Sequence, residues 1–486
     1  MTLGDLLRDA VERYPAHTAL IHESRTWTYA EFQRAVHALG GHLRGLGIGK
    51  GDHVALMLPN CPEFVIAYFA IVNLGAVAVT LNAQSTAHEL KHLLGDSDAL
   101  AFITTAPAAR RYEEIRDVVP ACRHLLVANG PDSPFGRILA GEAPALESPE
   151  IAPDDPAVMI YTSGLTGKPL GAMLTHRNLY TQSALLRDIY GGTENSRSLA
   201  IIPLFHSFGA VVNMLAAMRT GAGIVLMERF TLDGIFQTIA RERITYLAAV
   251  PRLFLGMLFH EGAEKYDVSS LEFCITGGSA MPPEFIPLFE DKFKVILREG
   301  YGLTEASPVC SVVRREKMQK VGSIGTVIPG AEAKIFDEDD REVPRGVEGE
   351  LVIRGENVMK GYYKAPEATA QVLRNGWLHT SDLAKMDEDD YIYITGRKKR
   401  MIITSGFNVY PREVEIAIEL HPAVAKARIE SKPDLIRGEI VKAFIQRRPD
   451  AALDDKEIMK HCRTYLSSYK VPREVEFVNA IEEKDD

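Results

Sequence analysis

Cysteine is scarce in this chain: five among 486 residues, at Cys61, Cys122, Cys274, Cys310 and Cys462. The count is odd and no two form a C-x-x-C pair, which argues against a disulfide framework or a structural zinc site. Scattered thiols of this kind fit a reducing compartment. Long apolar runs are missing too. No stretch approaches the roughly 18 residues that a membrane-spanning helix needs. The start, Met1-Thr2-Leu3-Gly4-Asp5, has no basic region and no apolar core, so it does not read as a secretory signal. The expectation is a cytosolic protein. Positive charge is not in excess either: 55 Lys and Arg face 65 Asp and Glu, a net charge of -10. Bulk electrostatics therefore favours neither nucleic acid nor an anionic membrane surface, and any anionic ligand must be held by a local site. Internal repeats and low-complexity tracts are absent.

What is there suits a large globular protein. Apolar residues make up 46% and charged residues 25%, ordinary values for such a chain. Its length allows two or more domains. Residues 5–14 and 29–43 carry helical apolar spacing. Val54–Leu58 and Ala76–Leu81 read as buried strands, with a crossover helix over Glu63–Leu74 between them. Strand, helix, strand predicts an α/β layer with a parallel sheet. The rhythm returns at Leu199–Ile202, Gly223–Met227 and Tyr246–Val250. Near Lys334 it changes to short antiparallel strands, at Ala333–Phe336, Gly349–Arg354 and Tyr391–Ile394. The basic cluster Arg397-Lys398-Lys399-Arg400 follows, and the remainder mixes helix and strand.

The β-prone run Met159-Ile160-Tyr161 leads into Thr162-Ser163-Gly164-Leu165-Thr166-Gly167-Lys168. Glycines let such a backbone approach a polyphosphate and turn its N–H groups toward one centre. Thr162, Ser163 and Thr166 add hydroxyls and Lys168 adds charge. It is not a Walker A loop, because only two residues separate Gly164 from Gly167 and Pro169 follows Lys168. Alone, it reads equally as a flexible surface turn.

Its companions decide between these readings. With Thr175-His176-Arg177-Asn178, the loop resembles the signature of the adenylate-forming superfamily, which holds acyl-CoA synthetases, luciferases and peptide-synthetase adenylation domains. Pro203–Gly209, around His206, looks like the next core motif. Thr276–Pro282 looks like the adenine-pocket strand and loop, with Gly278, Ser279 and Ala280. Glu299-Gly300-Tyr301-Gly302-Leu303-Thr304-Glu305 looks like the nucleotide and magnesium motif. Trp377–Asp382 and Gly396-Arg397 look like the ribose-binding pair, and Gly406–Glu415, with Asn408, resembles the mobile loop of the small domain. All occur in the family's order.

The resemblance implies an α/β fold: a large N-terminal domain (1–396) of layered α/β subdomains with a small β-barrel-like part, then a small mobile α+β domain (397–486). It implies that Asp382 and Arg397 hold ribose, that Glu305 ligates Mg2+, and that Thr304 donates to the α-phosphate. Tyr301 would stack on adenine, His206 would gate the channel between acyl pocket and thiol, and Lys399 would be the hinge. Each has a plainer alternative: a helix cap, a solvated acid, core packing, a structural histidine, a solvated basic face. The activity implied is ATP-dependent: a carboxylic acid, expected to be a medium- or long-chain fatty acid, becomes an acyl-adenylate and passes to coenzyme A. A homodimer is left open.

Two departures qualify this. Leu165 and Leu170 stand where the family usually carries a hydroxyl and a lysine. The family's terminal Gly-Lys is not found after Tyr469–Val478; the chain reads Asn479–Asp486, with Lys484 in an acidic tail. Slow adenylation with a better-preserved thioester step is the expectation. Amino- or aryl-acid activation, and a non-catalytic nucleotide- or acyl-binding homologue, are the competing readings. No Asp between His206 and Met218 offers itself to an α-amine.

Overall fold

The structure is a computed structural model that describes residues 1–481, apart from 129, 131–132, 142–148, 164–167, 399–400, 435–436 and 450 and the side chains of Ser163 and Leu186. Among the described residues the strands form four sheets. The largest has nine strands; six neighbours run parallel, from Ile296–Gly302 through Phe273–Thr276, Tyr246–Ala249, Arg197–Ala200 and Gly223–Leu226 to Thr18–His22. The second has seven strands, with His53–Met57, Val77–Thr80 and Pro156–Ser163 at its centre. His53–Met57 and Val77–Thr80 are buried on both faces, which is why they read as unbroken apolar runs rather than alternations.

Between these sheets lies the helix Pro62–Asn73, almost wholly buried. A helix apolar all round can be stable only when enclosed. Pro62 opens it at a position where no N–H is needed. Phe69 meets Phe32 of the helix Tyr29–Gly45 edge to face, with ring centroids 5.7 Å apart. At the N-terminal end of the chain, Thr2 and Asp5 form a capping box for Leu3–Arg13, and Thr28 and Glu31 form one for Tyr29–Gly45.

The third sheet is short and largely antiparallel. It joins Ala331–Phe336, Gly349–Gly355 and Trp377–Met386, with Ile392–Arg397 on the last of these. The fourth belongs to the C-terminal part. There Ile402–Thr404, Phe407–Val409, Val424–Asp434, Gly438–Arg447 and Glu474–Val478 pack against the helices Pro411–Glu419 and Asp455–Tyr465. The α/β class with a small α+β C-terminal part is thus observed, and the third sheet stands where a barrel-like part was expected.

Two details position the site. Buried Asn60, just beyond the strand His53–Met57, donates to the carbonyls of Ala200 and Ile202 and accepts the Leu204 N–H at 2.8 Å. Thr80 donates to the Phe205 carbonyl at 2.9 Å. The second sheet thus holds the backbone of the first around His206. The following helix begins at Gly209, whose missing side chain lets it press onto that loop: a methyl there would lie 2.8 Å from the Ile202 carbonyl oxygen and closer still to that of Pro203. Gly209→Ala is therefore expected to cost about 1–3 kcal/mol by overpacking, read by urea denaturation.

Candidate active site

The parallel strands Tyr246–Ala249, Phe273–Thr276 and Ile296–Gly302 all end at one cavity of about 410 Å³. Ligands in open α/β sheets bind at such carboxyl ends. Its walls combine apolar side chains, among them Ile189, Tyr190, Ile202, Val212, Tyr246 and Val312, with glycine backbone at Gly277, Gly278, Gly300 and Gly302. Thr304 and His206 also line it. The C-terminal part supplies a wall as well, through Ser405, Gly406, Phe407 and Asn408. Gly406 has φ +85°, and a methyl there would lie 2.5 Å from Val250 Cγ1. Only glycine combines that left-handed backbone with so close an approach.

Beside the cavity, Tyr301, Asp382 and Arg397 form one cluster. Asp382 and Arg397 face each other across the pairing of Trp377–Met386 with Ile392–Arg397. The Arg397 Nε–H donates to Asp382 Oδ1 at 2.8 Å, and the Tyr301 hydroxyl donates to Asp382 Oδ2. Asp382 is 8% exposed. A carboxylate that already holds two donors keeps lone pairs for further hydroxyls.

Glu305 sits on the single turn Thr304–Ala306. Its Oε1 accepts the Tyr362 hydroxyl at 2.7 Å and the Thr162 hydroxyl at 3.2 Å. Thr162 lies on Pro156–Ser163 and Tyr362 on Gly361–Tyr362, both in the second sheet. Among the described residues no cation lies within ion-pair distance of Glu305, so its charge is offset by neutral donors alone. Thr304 Oγ1 lies 3.4 Å from Ser207 Oγ.

Burial pushes the His206 imidazole down to about 4, so it is neutral at ordinary pH. Its Nδ1 accepts the Phe208 N–H at 3.2 Å, which assigns the remaining proton to Nε2. Glu299 does not line the cavity; its Oε1 accepts the Met281 N–H at 3.1 Å and shapes the loop after Gly278. Burial pushes its carboxyl up to about 7 against that hydrogen bond.

The structure brings His206, Gly278, Gly300, Tyr301, Gly302, Thr304, Gly406 and Asn408 to the cavity wall. Asp382, Arg397, Glu305 and Thr162 stand beside it through the contacts above. Ser279 and Ala280 continue the loop without lining the cavity. Lys168 is exposed and lines a second cavity, of about 330 Å³, with His92, Tyr161 and Lys470. Gly164, Thr166, Gly167, Lys399 and the Ser163 side chain lie outside the described residues. The phosphate-loop segment connects the antiparallel strands Pro156–Ser163 and Pro169–Thr175, a hairpin rather than a strand-to-helix turn. Thr175-His176-Arg177-Asn178 acts as structure. Thr175 and Asn178 cap the next helix, and buried His176 accepts the Leu3 N–H. Sequence reasoning missed Asn60 and also Tyr362, which carries no signal in a Gly-Tyr-Tyr run.

Comparison with known proteins gives the family. The family model described as AMP-binding enzyme matches residues 7–363, and that of the AMP-binding enzyme C-terminal domain matches residues 413–485. The chain belongs to the AMP-binding enzyme family. A long-chain-fatty-acid–CoA ligase of Bacillus subtilis (strain 168) is 35% identical, covering 98% of this chain and 91% of the relative. A feruloyl-CoA synthase of Amycolatopsis sp is 35% identical, covering 96% and 93%. The structure of an o-succinylbenzoate CoA synthetase from Bacillus subtilis, bound with a product analogue, superposes with a TM-score of 0.88 at 28% identity, covering 99% of this chain and 95% of that one.

Glu299 makes stability depend on pH in a definite direction. Its folded-state value of about 7 lies above the ordinary 4.5 or so, so its contribution is full below that lower value and is lost as pH rises through 7. Glu299→Gln, which imitates the protonated form, is expected to remove up to about 3 kcal/mol of that loss. The measurement is urea denaturation of both proteins near pH 5 and near pH 8.

Proposed function

We propose that this chain activates a fatty acid of medium or long chain as an acyl-adenylate, with ATP and Mg2+, and transfers the acyl group to coenzyme A. The observation that carries the reading is one cavity with apolar walls, glycine backbone and hydroxyls, flanked by the Tyr301–Asp382–Arg397 cluster and by Glu305. A substrate carboxylate oxygen attacks the α-phosphorus of ATP and the bond to pyrophosphate breaks. Two anions meet in this step, so the site's work is positioning and offsetting charge. Thr304 and the phosphate-loop amides and hydroxyls (Ser163, Gly164, Thr166 and Gly167) donate to phosphate oxygens, Tyr301 stacks on adenine, and Asp382 accepts the ribose hydroxyls while Arg397 donates to Asp382 and to ribose oxygen. The glycine-lined wall at Gly278 admits the flat base.

Magnesium fits the donor set. It prefers one or two carboxylates together with substrate phosphates over an all-protein cage, and Glu305 is a single carboxylate held by neutral hydroxyls. The metal would supply charge neutralisation at the phosphates. In the second step the coenzyme A thiolate attacks the acyl carbonyl and AMP leaves with the bonding pair. Neutral His206, with Gly406 and Asn408 opposite, lines the approach. We place the boundary between large and small domains at Arg397, with Lys399 as the hinge. Domain closure keeps water from a hydrolysable intermediate.

Aryl acids are the second reading, favoured by Tyr190, Phe208 and Tyr246 in the cavity wall. A panel of fatty and aryl acids, assayed for AMP release with and without coenzyme A, separates the two. The expected result is coenzyme A-dependent AMP release that is fastest with fatty acids. Glu305→Gln is expected to lower kcat about 10²- to 10³-fold, the scale for removing one preorganised charge-stabilising group. Release with no acid, or none with any acid, would contradict the reading.

A further inference from the structure

The geometry points to Lys470 and Glu89 as positioning residues for the thioester half-reaction: their buried ion pair fixes the small domain in the orientation that places the loop Ser405–Asn408 in the active-site cavity. This rests on the function proposed above.

Lys470 is among the most deeply buried cations of the chain, with 7% of its side chain exposed. Its Nζ lies 2.8 Å from Glu89 Oε1 and 2.6 Å from Glu413 Oε1. Glu413 opens the helix Pro411–Glu419, in the same small domain as Lys470. Glu89 lies on Ala87–Asp96, a helix of the large domain. The pair with Glu89 therefore crosses between domains. Burial alone pushes the Glu89 carboxyl up, but the Lys470 charge and its hydrogen bonds more than offset this and hold it below the usual range.

The ion pair does not stand alone. Ser467 Oγ donates to Glu89 Oε2 at 2.7 Å, and Ser468 Oγ donates to Gln84 Oε1 at 2.8 Å. Thr86 Oγ1 donates to the Tyr465 carbonyl at 3.2 Å. One short segment, 465–470, thus docks along one short segment of the large domain, 84–89. A buried ion pair adds little net stability compared with apolar packing, but a wrong pairing is costly, so its best-attested use is to select one arrangement.

That arrangement reaches the active site through one stacked pair. Tyr469, next to Lys470, stacks on Phe407 with centroids 4.6 Å apart and ring planes 26° from parallel. Phe407 lies in the loop Ser405–Asn408, each residue of which lines the 410 Å³ cavity. Arg252 of the large domain reaches the same loop by a 3.4 Å contact to Ser405 Oγ. The path from ion pair to active site is therefore Glu89, Lys470, Tyr469, Phe407, Gly406. Gln84 at the edge of the seam lines the cavity, but Lys470 and Glu89 pair with each other, Ser467 and Glu413 rather than with Thr304, Glu305 or Asp382, so adenylation is expected to survive their substitution.

The test separates the two half-reactions. Lys470→Met and Glu89→Gln are compared with the unaltered chain in three assays. These are single-turnover thioester formation from supplied acyl-adenylate and coenzyme A, ATP–pyrophosphate exchange, and titration with a non-hydrolysable acyl-adenylate analogue. Expected is a fall of about tenfold or more in thioester formation, the factor made by 1.4 kcal/mol, with exchange and analogue affinity kept within about twofold. If Lys470→Met does not fold, Glu89→Gln decides, since it keeps a hydrogen-bonding group toward Ser467 and Thr86. Thioester rates unchanged in both variants would overturn the inference, as would an equal fall in all three assays, which marks a merely structural role. If the unaltered chain itself performs neither half-reaction, it is the proposed function that fails.

Discussion

The site is assembled on one carboxylate. Asp382 takes a hydrogen bond from Tyr301, at the end of the large parallel sheet, and another from Arg397, at the close of the short antiparallel sheet. Hydrogen bonds to a charged partner contribute about 1.5–3 kcal/mol where water is largely excluded. Losing either donor would leave a mostly buried charge short of partners, which costs more than the bond itself contributes. Asp382 therefore fixes where the two sheets meet, and that meeting sets the position of Tyr301 relative to the glycine backbone of the cavity. Arg397 pairs back onto Asp382, and the first strand of the C-terminal sheet begins at Ile402.

Glu305 follows the same logic with a different outcome. Among the described residues its partners are hydroxyls, from Thr162 and Tyr362, rather than cations. An acid compensated by neutral donors keeps its charge available, whereas one locked to an arginine does not. Asp382 and Glu305 are thus divided by environment: one is tied to an arginine and a tyrosine, the other to two hydroxyls. Glu299, in the same motif as Glu305, is a third acid, and burial puts it to a third use, holding a loop by a single backbone N–H.

Much of the architecture was legible in the sequence because it depends on local pattern. The crossover helix read over Glu63–Leu74 is Pro62–Asn73, and the strand read at Gly349–Arg354 is Gly349–Gly355. The cavity glycines and Thr304 were legible through the resemblance of their motifs to those of the adenylate-forming superfamily. What was not legible depends on partners distant in the chain. Glu299 reads as one acid of a nucleotide motif, yet its neighbour is Met281. Tyr362 acquires meaning only when the second sheet brings it to Glu305. Lys168 follows the loop glycines in sequence, but its side chain faces the space between domains. The seam of Lys470 with Glu89 spans 381 positions, beyond the reach of any periodicity.

The central claim is that the acid is activated through its own oxygen on AMP. The direct measurement is turnover of an acid carrying 18O in its carboxylate with ATP and coenzyme A, followed by mass analysis of the nucleotide product. One 18O atom in AMP, with pyrophosphate as the other product and acyl-CoA formed in equal amount, is the predicted result. Unlabelled AMP, or ADP accompanied by labelled inorganic phosphate, would contradict it.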